Sequence, residues 1–332
     1  MKVQILGMGH SLPERILNNQ ELEQMVDTSN EWIVERTGIR ERRIADKDTA
    51  TSDLCWQAAK MALERSATEA KDLDLIIVGT SSPDMLFPST ACIVQDRLGA
   101  RNAAAFDVEA GCTGFVYALS IAEKFLLSPE YKKILVIGAD LCSRFTDYTD
   151  RNTCVLFGDG AGAAVVGKGD LGPGILNSYL GADGSGGRHL YMPAGGSALP
   201  PSKETVEQRL HFIRMDGNEI FRFATKIVVA ASEKLLSQAG LSYQDVDFFI
   251  PHQANLRIIK TAMKRMRIPA EKTLINLDHF GNMSAACIPV GLSMAEEAGK
   301  LKNGDLVLMV AFGAGLSYGG ILLRWGRDQD VF

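Results

Sequence analysis

The sequence predicts an α/β protein built on a mostly parallel sheet with helices over both faces. Short, apolar, β-branched runs alternate with longer segments of helical period along the whole chain. Strands without a polar face belong in sheets that are covered on both sides. Strands are expected at 3–7, 73–79, 103–108, 134–138 and 161–166, then at 248–250, 273–275, 306–310 and 319–323. Helices are expected at 51–64, 90–98, 113–127, 219–239, 255–266 and 288–298. A faint internal echo points to two similar α/β halves, 1–170 and 171–332. The run Asp72-Leu-Asp-Leu-Ile-Ile-Val-Gly-Thr80 is matched by Asp245-Val-Asp-Phe-Phe-Ile-Pro-His252. The run 132–138 ahead of Phe157-Gly-Asp-Gly-Ala-Gly162 is matched by 304–310 ahead of Phe312-Gly-Ala-Gly315.

With 332 residues the chain can bury a sizeable core, as one large domain or two ordinary ones. A formal net charge of −5 argues against nucleic acid as a partner. The six cysteines, at 55, 92, 112, 142, 154 and 287, include no Cys-x-x-Cys pair. That pattern suits neither a disulfide framework nor a zinc site, and it fits a reducing compartment. The chain opens directly on a strand-like run with no leader pattern and holds no apolar stretch of membrane-spanning length, so a cytoplasmic location is expected. The Gly- and Pro-rich stretch 181–201 reads as a long loop. Neither glycine cluster, 7–9 or 158–162, completes a dinucleotide or phosphate-loop pattern, and no metal or redox cofactor is expected.

Three residues at predicted strand-to-helix junctions carry the chemistry. Cys112, in Ala110-Gly-Cys-Thr-Gly-Phe115, sits at a Gly turn where a helix begins. Free backbone N–H groups and the positive helix end should favour its thiolate, poised to attack a thioester or amide carbonyl. His252 follows a short apolar strand in Pro251-His-Gln-Ala-Asn-Leu-Arg257, and Asn282 lies in a Gly-led turn before an apolar helix. Singly, each has a plainer explanation: a packed cysteine, a satisfied core histidine, a turn or capping asparagine. In open α/β sheets, however, such junctions converge on one crevice.

At these residues the chain resembles the β-ketoacyl-acyl-carrier-protein synthase III family, the initiating condensing enzymes of bacterial type II fatty-acid synthesis. The likeness runs from residue 1 to about Trp325. Its landmarks are the block 31–43 with Trp32, Phe87-Pro-Ser-Thr90, the Cys112 turn, the 157–162 glycines, Met215-Asp-Gly-Asn218, the His252 block, Gly281-Asn282 and Phe312-Gly-Ala-Gly315. The resemblance implies a thiolase-like fold, with two βαβαβαββ halves in an αβαβα arrangement, and a homodimer. Cys112 would take the acyl group of a short acyl-coenzyme A. His252, through a neutral imidazole, and Asn282 would stabilise the enolate formed as malonyl-acyl-carrier protein loses carbon dioxide. The oxyanion on the acyl-cysteine would be met by the N–H groups of Cys112 and Ala314, with Phe312 as an apolar wall.

By the same resemblance Trp32, Arg36, Arg151 and Asn218 would bind coenzyme A, with Trp32 and Arg151 sandwiching its adenine. Phe87 would reach into the partner subunit's acyl pocket. Gln253, Ala254, Asn255, Leu256, Arg257 and Lys260 would dock the acidic carrier protein. Arg257, Lys260, Lys264 and Arg267 recur at helical spacing opposite Leu256, Ile259, Met263 and Met266, a stripe that suits an acidic partner. Met283 and Ser317-Tyr318 depart from the commoner family pattern and are expected to alter pocket shape. Two other readings remain open: a secondary-metabolism relative that primes a polyketide or serves another acceptor, and, from another reaction class, a papain-like Cys-His-Asn hydrolase.

Overall fold

The computed structural model describes residues 2–169 and 172–327. The expected division between residues 170 and 171 lies outside the described residues. The first part runs β1 (Lys2–Ser11), β2 (Ile16–Asn18), α1 (Asn19–Glu23), α2 (Asn30–Thr37), β3 (Glu41–Arg43), α3 (Thr51–Arg65), β4 (Leu75–Gly79), α4 (Thr90–Leu98), β5 (Ala104–Val108), α5 (Gly114–Phe125), β6 (Lys133–Leu141) and β7 (Asp159–Gly169). It continues with β8 (Gly174–Ala182), β9 (Leu190–Tyr191), α6 (Lys203–Glu207), β10 (Arg214–Met215), α7 (Gly217–Gln238), β11 (Phe248–Pro251) and α8 (Leu256–Met266). Last come α9 (Leu277–Phe280), α10 (Cys287–Glu297), β12 (Leu306–Gly313) and β13 (Ser317–Arg324).

Two principal sheets form, in the orders β1-β7-β6-β4-β5 and β11-β12-β13-β8. Because side chains alternate along a strand, each sheet feeds two cores. Leu75 and Ile77 of β4, with Val307 and Met309 of β12, face a central cluster with Phe115 and Leu119 of α5 and Ile288 and Leu292 of α10. Ile76 and Val78 turn the other way, onto α3 and α4. Leu306, Leu308 and Val310 likewise meet α7 and α8. The result is five layers, αβαβα, with α5 and α10 buried between the sheets.

Both sheets are mixed, which corrects the expectation of a mostly parallel one. β4 pairs in parallel with β5 and β6, and β11 with β12, whereas β1–β7, β6–β7, β12–β13 and β13–β8 are antiparallel. The antiparallel strands read as apolar runs like the parallel ones, so period alone does not reveal their direction. The expected strand at 273–275 is reduced to one bridge, Phe249 to Thr273. Beyond the Leu274 N–H bond to the Phe249 carbonyl, its backbone is served by the Gln253 amide, which donates to the Leu274 carbonyl and accepts from the Asn276 N–H. The stretch 181–201 is not one long loop. It holds the end of β8, a 3₁₀ turn at Gly184–His189, and β9 paired with β10.

One close approach sets the position of the site. A Cβ on Gly79, at the end of β4, would lie 2.4 Å from the Gly114 carbonyl carbon, so only glycine lets α5 begin directly on that strand. A Cβ on Gly313, at the end of β12, would lie 2.5 Å from the Cys112 nitrogen. The turn carrying Cys112 is thereby held between the C-terminal ends of the two sheets.

Candidate active site

Cys112, His252 and Asn282 line one cavity of about 720 Å³, the size range of small-molecule sites. Cys112 sits in a 3₁₀ turn, Gly111–Thr113, immediately before α5. Gly111 takes φ 53°, and its N–H is held by the Glu109 carboxylate at 3.0 Å. Behind the turn, the Ser317 hydroxyl donates to the Ala110 carbonyl at 2.8 Å and accepts from the Thr113 hydroxyl at 2.8 Å, tying it to β13.

The surroundings of the thiol oppose the pull toward thiolate expected from its place at a helix start. Burial pushes its pKa up to about 12, the Asp140 and Glu109 carboxylates act in the same direction, and the nearby Ser284 side chain only partly offsets them. A desolvated anion beside two carboxylates is costly, and one helix end does not reverse that.

His252 follows β11, with its N–H on the Val310 carbonyl at 2.8 Å and its ring edge-on to Phe312 at 5.3 Å and 76°. Burial lowers its pKa to about 3, so the imidazole is neutral at physiological pH. Its Nδ1 is buried and has no hydrogen-bond partner among the described residues. Such a ring bears on stability. As pH falls below the ordinary value of 6.5, the unfolded chain takes up a proton that the folded chain refuses. His252 thus costs stability in acid and is neutral in its effect above that value. Replacing it with glutamine, which does not titrate, should spare about 2 kcal/mol of the stability lost between about pH 7.5 and about pH 5, read from urea unfolding at each pH. An identical loss in both proteins would show that the ring titrates normally.

Asn282 is pinned by its backbone. Its N–H donates to the Leu156 carbonyl at 2.9 Å and its carbonyl accepts from the Gly158 N–H at 3.0 Å. Gly281 before it has φ 64°, where a Cβ would lie 2.8 Å from the Leu156 carbonyl oxygen. The side-chain Oδ1 accepts from the Ser284 N–H at 2.9 Å. A backbone N–H can only donate, so this contact orients the amide and leaves Nδ2, a donor, as the free end.

Other predicted residues divide. Trp32, Arg36, Asn218, Ala254, Asn255, Phe312 and Ala314 line the same cavity. Arg151 does not line it. Its guanidinium lies 4.7 Å from the Trp32 ring centre and donates to the Asp27 carbonyl at 2.9 Å. The two side chains touch each other, so no slot for a ring stands open between them, and a sandwich there requires the arginine to swing away. Phe87 is 84% exposed, far more open than a pocket wall, on an apolar tip with Met85 and Leu86.

The docking segment needs correction at Gln253. It is wholly buried, donating to the Pro251 and Leu274 carbonyls at 2.8 and 3.1 Å, and a docked protein cannot touch its side chain. Asn255 caps α8 by accepting from the Arg257 N–H and ties it to α2 by donating to the Arg36 carbonyl. Leu256 is partly buried against Ile39 and Leu277. Arg257, Lys260 and Lys264 are exposed on α8, and the Arg257 guanidinium lies 5.5 Å from the ring centre of Phe221, a cavity residue. Met283 is buried among Phe280, Cys287 and Val290, and neither it nor Ser317-Tyr318 lines the cavity. These departures therefore repack the core behind the site.

Sequence reading missed Glu109, Asp140, Ser284 and Cys287. Cys287 accepts from the Met283 N–H at 3.2 Å and its thiol contacts Asn282 Oδ1 at 3.7 Å. Asp140 lies at the end of a strand that reads as purely structural, and nothing in its local pattern separates it from a strand-terminal turn residue.

Residues 106–184 match the 3-oxoacyl-[acyl-carrier-protein (ACP)] synthase III family and residues 236–325 match its C-terminal part. The chain is 96% identical to the β-ketoacyl-[acyl-carrier-protein] synthase III of Syntrophomonas wolfei subsp. wolfei over the full length of both. It is 56% identical to that of Caldanaerobacter subterraneus subsp. tengcongensis, over 97% of this chain and 98% of the other. The crystal structure of 3-oxoacyl-[acyl-carrier-protein] synthase III from Aquifex aeolicus superposes with a TM-score of 0.91 at 44% identity, covering 97% of this chain and 100% of that one. Sequence likeness over the whole chain and a shared layered architecture agree, and the chain belongs to the β-ketoacyl-acyl-carrier-protein synthase III family, condensing acyltransferases of thiolase-like fold.

Proposed function

We propose that this enzyme joins a short acyl group from acyl-coenzyme A to malonyl-acyl-carrier protein, releasing coenzyme A and carbon dioxide and yielding the 3-oxoacyl-carrier protein that begins a fatty acid. The observation that carries this reading is the convergence of a nucleophilic cysteine and two neutral donors, His252 and Asn282 Nδ2, on one cavity. In the first half-reaction Cys112 attacks the thioester carbonyl. The backbone N–H groups of Cys112 and Ala314, at the facing ends of the two sheets, receive the oxyanion. In the second, malonyl-carrier protein enters. His252 and Asn282 donate to its thioester oxygen as enolate charge develops, and the carbanion attacks the acyl-cysteine.

A neutral imidazole suits this work, because a cation there would bind the malonyl carboxylate in the ground state and oppose its loss. Phe312, apolar and packed edge-on to His252, disfavours that carboxylate further. A hydrolase would instead need His252 to take the cysteine proton, which a ring held near 3 does poorly. Trp32, Arg36, Arg151 and Asn218 hold coenzyme A at the mouth, with Arg151 swinging off Trp32. Arg257 and Lys260, joined by Lys264, receive the acidic carrier protein. The exposed tip Met85–Phe87 packs in a homodimer, where Phe87 closes the partner's acyl pocket. The reaction needs no metal or redox cofactor, and the enzyme works in the cytoplasm. No helix among the described residues is long and apolar enough to cross a membrane.

Intact-protein mass spectrometry after incubation with a panel of acyl-coenzyme A thioesters, followed by a chase with malonyl-carrier protein, tests this reading. The expected result is an adduct on Cys112 that the chase discharges as 3-oxoacyl-carrier protein. An adduct that only another acceptor discharges would redirect the assignment to secondary metabolism, and rapid release of free acid would favour a hydrolase.

A further inference from the structure

The reaction brings two thioesters to one cavity, and Cys112 must attack only one of them. The starter acyl group is to become bound to sulfur. The malonyl group is to lose carbon dioxide, and a malonyl group on Cys112 would leave no place for the starter. The two differ in charge, since a short starter is neutral and malonyl carries a carboxylate. A charge in the cavity wall can therefore tell them apart.

Of the described residues that line the cavity, Arg36 and Glu109 alone carry a formal charge, because His252 is neutral. Arg36 lies in the last turn of α2, the helix that also carries Trp32. Glu109 directly follows β5. Its Oε1 accepts from the Gly111 N–H at 3.0 Å and from the Ser81 hydroxyl at 3.3 Å. Gly111 immediately precedes the nucleophile, so the carboxylate is tied to the turn that holds Cys112. Oε2 accepts from no described residue, and no described cation forms an ion pair with Glu109. Asp140 is a different case. It is buried outside the cavity lining and takes the Ser81 and Ala285 N–H groups at 2.8 and 3.2 Å, and the Ser82 and Thr80 hydroxyls at 2.9 and 3.2 Å. Four donors absorb its charge within the fold, whereas the charge of Glu109 is exposed and borders the space an acyl group enters.

We propose that Glu109 is a specificity-determining residue whose carboxylate repels negatively charged acyl groups and reserves Cys112 for neutral starters. The inference rests on the acyl-transfer reading above. In the permitted reaction the Cys112 sulfur bonds the thioester carbonyl carbon. The bond from that carbon to the coenzyme A sulfur then breaks, and coenzyme A leaves as the thiol with the cysteine's proton. A malonyl or succinyl thioester in the same position brings a second carboxylate close to its reacting carbon, and so toward Glu109. Like charges at that range slow the attack about tenfold or more. The phosphates of coenzyme A do not contribute to the discrimination, because charged and neutral starters share them. Once Cys112 is acylated, malonyl-carrier protein meets His252 and Asn282 and no longer competes for the sulfur.

The test compares the unsubstituted enzyme with Glu109→Gln, which keeps an oxygen to accept from the Gly111 N–H and removes the charge. Two pairs of rates at Cys112 are read by rapid quench and peptide mass spectrometry. The first pair is alkylation by iodoacetate and by iodoacetamide, reagents of one size that differ by a charge. The second is acylation by succinyl-coenzyme A and by its neutral methyl ester. The unsubstituted enzyme should favour the neutral member of each pair, and Glu109→Gln should reduce that preference about tenfold. Raising the salt from about 0.05 M to about 0.5 M should narrow the preference in the unsubstituted enzyme and leave the variant nearly unchanged. The same preference in both proteins would overturn the proposal. So would equal slowing of charged and neutral reagents in Glu109→Gln, which would make Glu109 a clip for the turn and nothing more. Alkylation of Cys112 without acylation by any thioester would instead remove the acyl-transfer reading, and the starter specificity with it.

Discussion

Cys112→Ala should abolish acyl transfer while the protein keeps its fold and some capacity to decarboxylate malonyl-carrier protein. The expected fall in condensation is about 10,000-fold or more, the scale on which enzymes lose activity with their nucleophile. The substitution is small and structurally mild. The turn around residue 112 is held by Glu109, Thr113, Ser317 and the neighbouring glycines, none of which depends on the sulfur. Decarboxylation draws on His252 and Asn282, and neither side chain is hydrogen-bonded to Cys112. Free coenzyme A release reports the first half-reaction and carbon dioxide release the second. Acyl adducts forming elsewhere at an undiminished rate would show that Cys112 is not the nucleophile.

His252→Ala and Asn282→Ala should show the complementary defect: acyl-Cys112 forms and accumulates, but condensation fails. Removing one donor to a developing oxyanion costs on the order of 100- to 1,000-fold, and the two act on one oxygen, so the double variant should lose less than the product of the single losses. Asn282→Ala also strips the acceptor from the Ser284 N–H, so its defect includes some disorder of that turn. Asn282→Asp separates the two effects. It preserves an acceptor for Ser284 but puts a negative charge where the enolate forms, and should be at least as inactive as the alanine variant. Condensation by His252→Ala at the normal rate would refute the assigned role.

Most of the secondary structure was legible because its residues repeat with clear periods. The predicted helices at 51–64, 90–98 and 255–266 coincide closely with α3, α4 and α8. β8 was hidden by its composition: Asn177 and Ser178 interrupt its apolar run, and as an edge strand it pairs on one side only. The antiparallel pair β2–β3 escaped for a similar reason. Arg42 occupies its centre and is wholly buried, donating to the Leu17 and Val155 carbonyls and to the Asn19 side chain. An arginine in that place reads as surface until its acceptors, up to 113 residues away, are brought to it.

By itself the sequence determined the α/β class, the family, and the three junctions that carry Cys112, His252 and Asn282, because each is marked by local signals: a glycine turn, a strand end, a helix start. Tertiary structure alone decided the electrostatic state of those groups. Whether a thiol is ionised or an imidazole charged depends on how much water is removed and which carboxylates lie behind it, and both are set by residues remote in the chain. Gln253 shows the same limit, since a polar residue in a motif is surface or core only once its acceptors are in place. Asp140 and Ala285 lie 145 positions apart and are joined, through the Ala285 N–H, only because α5 and α10 are buried together between the two sheets.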